Sequence, residues 1–425
     1  MTDMAVLGCL ALAALAVWIS ARFFRHPISP FSLFFGSWFT ALAIYNLHWI
    51  EYVPIRRPAW TLMGLGCLGF ALGWFLPYLF WNSRDLRPPE LVGQQVSAER
   101  LRTVIVICFV LGAVGVAAFL AAVSSTVGLA TYIEAPGGVR EAMAKGGSVV
   151  EPLKAFDWLN VANVALCSFY LFALKRRSRL IWPILAFSVF ALFLMEDRTH
   201  FFYAFSWTGF LLLHSMKVTL RKVMIVMAAG AAMLLTQFFL IAVWLGKVAE
   251  NNPLLLEVAN VQTGTIVLLS PYMYITESFP SLQVYMDSAP ASTHGAMTFY
   301  PVFRVINMVD PTLEPPPIVG EFLNVPFESN TFTWLQQFYT DFGTAGVLVA
   351  TWFVGLIVSF AYFHLLSTRS FYSAFVNGMF SYCCALSIFV NHFTQGPAWF
   401  FLASGFLISR WVSQPAASTR FAEEV

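Results

Sequence analysis

Charge is what this sequence has least of. Asp, Glu, Lys and Arg together make up 11% of its 425 residues, against roughly 25% in soluble domains. That scarcity excludes a soluble fold of this length, because too few charged side chains remain to cover the outside. Cysteine is scarce as well. All six (Cys9, Cys67, Cys108, Cys167, Cys383, Cys384) lie inside apolar runs, which argues against a disulfide framework and against a zinc site. Adjacent Cys383 and Cys384 read as packing residues. There is no HExxH, no DxD, no nucleophile elbow, no Gly-rich phosphate loop and no internal repeat. The net charge of +2 marks no nucleic-acid partner. What fills the chain instead is apolar: 59% of residues, with 43 Phe and a mean hydropathy of +0.71. Lipid is the solvent in which such a composition makes sense.

A helix needs about 20 apolar residues to cross the hydrocarbon core. Runs of that kind fall at 4–20, 31–50, 60–81, 103–124, 155–174, 180–195, 201–216, 223–245, 342–365, 371–391 and 396–412. The expected fold is therefore all-α, a polytopic transmembrane helical bundle of about 11 spans. The first run has no basic residue before it, and Arg22 and Arg25 follow it. It reads as a spanning helix with its N-terminus outside rather than as a cleaved signal. The runs 180–195 and 201–216 meet at a charged turn, Glu196 to His200. Most of the 24 Lys and Arg residues then fall in segments on one side, firmest at Lys175–Arg179 and Lys217–Lys222. By the positive-inside rule that side is cytoplasmic, with the C-terminus there and the N-terminus outside.

The polar chemistry gathers on the other face. It comprises residues 125–152, the Glu196–His200 turn, the long stretch 246–338 and the turn 391–397. The expected organisation is residues 1–245 with spans one to eight and the outer loop 125–152, then 246–338 as one large outer loop, then 339–425 with the last three spans and a cytoplasmic tail. The large loop is too long for a plain connection. Its aromatic pieces at 265–275 and 296–308 are too short to span and read as interfacial helices. Between them and the next span lies the proline-broken VDPTLEPPPIVGEF.

Ionisable residues beside spanning helices are site candidates by default. Arg198 is the sharpest, lying between two apolar runs and close to His200. It either aims a guanidinium at phosphate oxygens or pairs with Glu196 or Asp197. Arg140 stands in the glycine-flanked APGGVREAMAKGG and reads either as a solvated loop residue or as part of a close-approaching hinge. Arg304, in an aromatic interfacial stretch, either snorkels to headgroups or holds an anionic lipid-linked ligand. For acid–base work the outer face offers Glu277, Asp287, His294, Asp310, Glu314, Glu321, Glu328, Asp341 and His392, and no spacing pairs two of them. Asp341 reads as the structural start of a helix, favoured there by the helix dipole.

The segment NTFTWLQQFYTDFGTAGVLVATWFVGLI, residues 330–357, resembles the signature region of the Wzy-type O-antigen polymerases, with Asn330, Thr333, Tyr339, Asp341, Phe342, Gly343 and Gly346 in the matching places. APGGVREAMAKGG, DRTHFF, YMYITESFPSLQVYM and TFYPVFRVINMVD resemble further pieces of that family, in the same order along the chain. The resemblance implies a GT-C-like, metal-independent glycosyltransferase without a cofactor. Such an enzyme transfers a chain linked to undecaprenyl diphosphate onto a new lipid-linked repeat unit at the periplasmic face of the bacterial inner membrane. It also implies that Arg140, Arg198 and Arg304 neutralise the diphosphate leaving group, that Glu321 or His294 activates the acceptor hydroxyl, and that a chain-length regulator protein is a partner. An O-antigen ligase shares this donor and topology. A lipid-linked sugar flippase or transporter, from a different class, would show mid-helix polar residues and duplicated halves, and neither is evident. A non-catalytic scaffold would tolerate loss of any single outer arginine.

Overall fold

The protein is described by a computed structural model over residues 2–81, 86–89, 91–134, 155–194, 198–217, 257–260, 268–310 and 322–413, with 153, 236, 312–313, 315–317 and 320. The described helices are α1 (Thr2–Phe23), α2 (Pro30–Tyr45), α3 (Arg57–Phe80), α4 (Ala98–Thr126), α5 (Trp158–Ser168), α6 (Ile181–Leu194) and α7 (Arg198–Ser215). There follow α8 (Leu269–Thr276), α9 (Ser278–Asp287), α10 (Tyr300–Val309), α11 (Leu335–Thr368), α12 (Phe371–Ala385) and α13 (Gly396–Val412). A two-stranded antiparallel hairpin, β1 (Leu323–Asn324) and β2 (Glu328–Ser329), precedes α11.

Five helical stretches among the described residues are long and apolar enough to cross a membrane: Asp3–Phe23, Arg57–Phe80, Ala98–Thr126, Ala155–Ala173 and Leu335–Thr368. This is an all-α membrane protein. Each of the expected runs 31–50, 180–195, 201–216, 371–391 and 396–412 holds a helix that is shorter or less apolar than those five. The run 223–245 lies outside the described residues except for a single position.

The chain divides into two compact units. One comprises Met1–Asp85, Val248–His364 and Phe380–Leu402. Its helices start where local chemistry dictates. Pro30 opens α2 behind a Ser29–Ser32 capping box, and Pro58 stands in the first turn of α3. Its core is aromatic. Phe34 stacks on Phe70 at 4.0 Å, Phe24 packs edge-on against Trp74 at 5.4 Å, and Trp334 meets Phe34 at 5.3 Å. Trp38 Nε1 donates to Ser387 Oγ at 2.9 Å and the Tyr362 hydroxyl to the Phe24 carbonyl at 2.9 Å, while Trp74 Nε1 and Trp334 Nε1 have no hydrogen-bond partner among the described residues. Helices α3 and α11 touch backbone to backbone. A Cβ at Gly73 would overlap the Trp352 carbonyl, and one at Gly355 would overlap the Phe70 carbonyl.

The other unit comprises Leu86–Lys247, Leu365–Met379 and Ala403–Val425. Here α4 lies against α5, with Asn160 filling the space beside Gly112 and the backbone at Phe156–Asp157 filling that beside Gly115. Helix α5 ends in a π turn, Phe169–Ala173, and the chain then turns at Lys175 with φ 53°. Trp207 of α7 donates to the Phe375 carbonyl at 2.9 Å. Arg369 donates from Nε to the Arg87 carbonyl at 2.8 Å.

The aromatic pieces at 265–275 and 296–308 hold the short helices α8 and α10, with α9 between them. Helix α10 is amphipathic, with Val302, Val305, Ile306 and Val309 exposed. The hairpin had no sequence signal, since each of its strands is two residues long.

Candidate functional site

Two nearby arrangements in the first unit bear polar chemistry. The first is built around the break in α11. Gly343 has φ 67° and ψ −166°, a region essentially closed to any residue with a Cβ. A Cβ at Gly346 would overlap the Phe342 side chain. The DFG-x-x-G pattern is thus a kink: Gly343 makes the break and Gly346 leaves room for Phe342. Asp341 is not the first residue of a helix, as the sequence suggested. It sits in the α11 piece that begins at Leu335, just ahead of the break. Its carboxylate accepts from the Thr293 hydroxyl, from Met297 N at 3.2 Å and from Thr298 N at 2.6 Å. Ser292 Oγ donates to the Asp341 carbonyl at 3.0 Å. One carboxylate therefore holds loop 292–298, and with it the entry to α10, against the kink.

The second arrangement is a narrow cleft of about 10 Å³, room for about one water, lined by Met297, Tyr300, Pro316, Pro317, Gln337, Thr394 and Gln395. Its walls come from the start of α10, the proline-rich stretch, α11 and the 391–397 turn. Thr394 hydrogen-bonds Gln337 Oε1, and His392 Nδ1 meets Gln395 Oε1 at 3.0 Å. An amide oxygen only accepts, so His392 carries its proton on Nδ1. Both glutamine oxygens are thereby engaged, and their NH₂ groups have no partner among the described residues. Behind the wall, the Tyr382 hydroxyl contacts His392 Nε2 at 3.2 Å. Two amide groups, an aromatic ring and a proline surface make this lining neutral.

Glu277 lies at the α8–α9 junction and is only 5% exposed. Burial pushes its carboxyl up to about 7, opposed by hydrogen bonds from the Thr331 and Ser329 side chains. Asp287, at the end of α9, ion-pairs with Arg56, whose backbone N–H also donates to Gln283 Oε1 at 2.8 Å.

The sequence-based site residues fare differently. Arg140 and Glu321 lie outside the described residues, as do Glu196 and Asp197. Arg198 is the first residue of α7. Its neighbour His200 stacks on Trp158 at 3.9 Å and stands 3.6 Å from Asp157 Oδ2. His294 is exposed in the loop that Asp341 holds, with φ 49° and Nδ1 3.3 Å from Ser292 Oγ. Arg304 is exposed on α10. No contact among the described residues brings His294 and Arg304 together. The cleft glutamines escaped sequence reasoning, because neutral amides carry no signal by charge or spacing. The polar turn 391–397 was the one pointer to them.

The composition and helices define a membrane-embedded, all-α protein with polar sites at helix ends. The model of the O-antigen polymerase family matches residues 28–388, and the chain belongs to that family. A role in O-antigen or polysaccharide assembly, with polymerase activity of the glycosyltransferase kind on lipid-linked glycans, follows from this membership. No curated protein and no solved structure matches the chain.

Proposed function

We propose that the protein polymerises undecaprenyl-diphosphate-linked oligosaccharide repeat units into surface polysaccharide at the periplasmic face of the bacterial inner membrane. The acceptor sugar's hydroxyl attacks the anomeric carbon of the donor chain. The bond from that carbon to the diphosphate oxygen breaks, and the lipid diphosphate leaves with the electron pair. The acceptor proton passes to a base, for which Glu321 and His294 are the candidates. Arg140, Arg198 and Arg304 balance the charge that grows on the diphosphate. No metal is needed when guanidinium groups supply that charge.

The observation that carries this reading is the family match over residues 28–388. Beside the kink of the family-like DFG-x-x-G residues, the neutral lining of Gln337, Gln395 and Tyr300 is the surface offered to a sugar. Support for a lipid-linked substrate comes from α10, whose exposed apolar face carries Arg304 beside it. Replacing Gln337 and Gln395 together by Ala is expected to shorten the polymer at least tenfold in yield while the protein still inserts. The assay is a gel profile of the host's surface polysaccharide. An unchanged ladder from that double variant would remove the cleft from the site.

A further inference from the structure

The two basic runs read as topology anchors, Lys175–Arg179 and Lys217–Lys222, each contribute to one cavity of the second unit. Lys175, Arg176 and Lys217 line this cavity of about 390 Å³ together with Gly93, Ala98 and Ser215. That volume falls within the range of about 300–1,000 Å³ common to small-molecule pockets. Three formal positive charges converge there, and no carboxylate lines the cavity among the described residues. Ala98 is the first residue of α4, a helix of 29 residues, and Ser97 caps it by accepting from Arg100 N at 3.4 Å. The positive end of a long helix dipole therefore adds to the three cations.

The π turn at Phe169–Ala173 and the left-handed Lys175 end α5 so that two successive cations, Lys175 and Arg176, both border the cavity. π turns recur where a helix is bent for function.

We propose that this cavity binds a phosphate group, held by Lys175, Arg176 and Lys217. On the face read as cytoplasmic, the two sources of that chemistry are an anionic lipid headgroup and a free phosphate or diphosphate. The site goes beyond the polymerase reading, which concerns the opposite face, and stands or falls separately from it.

The test uses the full-length protein in nanodiscs. In the first arm the discs contain phosphatidylcholine and phosphatidylglycerol, and native mass spectrometry counts the phosphatidylglycerol that the released protein retains. In the second arm the discs contain phosphatidylcholine alone, and inorganic pyrophosphate is titrated while the unfolding temperature is followed. Wild type is expected to retain phosphatidylglycerol or to be stabilised by pyrophosphate, and which of the two occurs names the source. The Lys175→Gln/Arg176→Gln/Lys217→Gln variant is expected to lose that binding at least tenfold. Arg177→Gln/Arg179→Gln, in the same basic run but away from the cavity lining, is expected to keep it. Ala98→Trp leaves every cation in place and fills the cavity, so it must lose binding as well, even if the triple variant inserts poorly. Retention by Ala98→Trp equal to wild type, or no binding of either probe by wild type, overturns the proposal.

Discussion

Asp341 accepts three hydrogen bonds from a loop more than forty residues away in sequence. Removing such a buried acceptor leaves its donors unpaired, which costs about 1–3 kcal/mol. Asp341→Ala is expected to lower the unfolding temperature in detergent and to expose the 292–298 loop to protease. A variant as stable as wild type, with the loop still protected, would show that the carboxylate is not what holds that loop. Gly343→Ala tests the same kink from the backbone side, since a side chain at φ 67° and ψ −166° costs about 1–3 kcal/mol.

Glu277 makes a pH-dependent contribution with a defined sign. Its carboxyl is raised from 4.5 to about 7 by burial. Between those values the folded protein holds a proton that the unfolded chain has released, so stability falls as pH rises through this window. The loss approaches about 3 kcal/mol above pH 7. Glu277→Gln mimics the protonated carboxyl. It is expected to match wild type near pH 5 and to be the more stable protein at pH 8, as read by thermal unfolding across that range. A wild type whose stability does not fall between pH 5 and pH 8 contradicts this account.

At the scale of elements, the contact between α3 and α11 depends on glycine. A Cβ at Gly73 would meet the backbone of α11, while one at Gly64 meets nothing within 4 Å. Gly73→Ala is expected to lower the yield of folded protein severely, and Gly64→Ala to leave it unchanged. Equal yields of the two would mean that the helices do not approach as closely as described. The aromatic load has an account at the same scale. Rings such as Phe24, Phe34, Phe70 and Trp74 form the core of the first unit, and others, Phe80 and Phe360 among them, are exposed, as suits a surface facing lipid.

At the scale of the whole molecule, the polymerase reading makes its sharpest prediction at Arg198. Arg198→Ala is expected to abolish chain elongation while the protein still inserts, because an unbalanced diphosphate is a poor leaving group. Deleting the gene is expected to leave a single lipid-linked repeat unit and no ladder on a gel. Full-length polymer that fails to reach its final acceptor would indicate a ligase. An unchanged surface polysaccharide would remove both readings.

Much of this protein was legible without coordinates. The requirement for lipid, the location of the long apolar helices and the amphipathic pattern within 296–308 all follow from local composition. Hydrophobic length and amphipathic period are properties of a short window, and a window of sequence contains them whole. The resemblance of residues 330–357 was legible too, and the family match bears it out. The reason for its glycines was not, because a positive φ at Gly343 and the crowding of Phe342 beside Gly346 exist only once the chain has bent. Tertiary structure alone decided which distant residues meet. Gln337 and Thr394 are 57 residues apart, and Asp341 and Thr293 are 48 apart. The cations of two separate basic runs came to border one cavity in the same way. Such pairings depend on how helices pack and where loops return, and no local pattern of charge or hydrophobicity encodes that path.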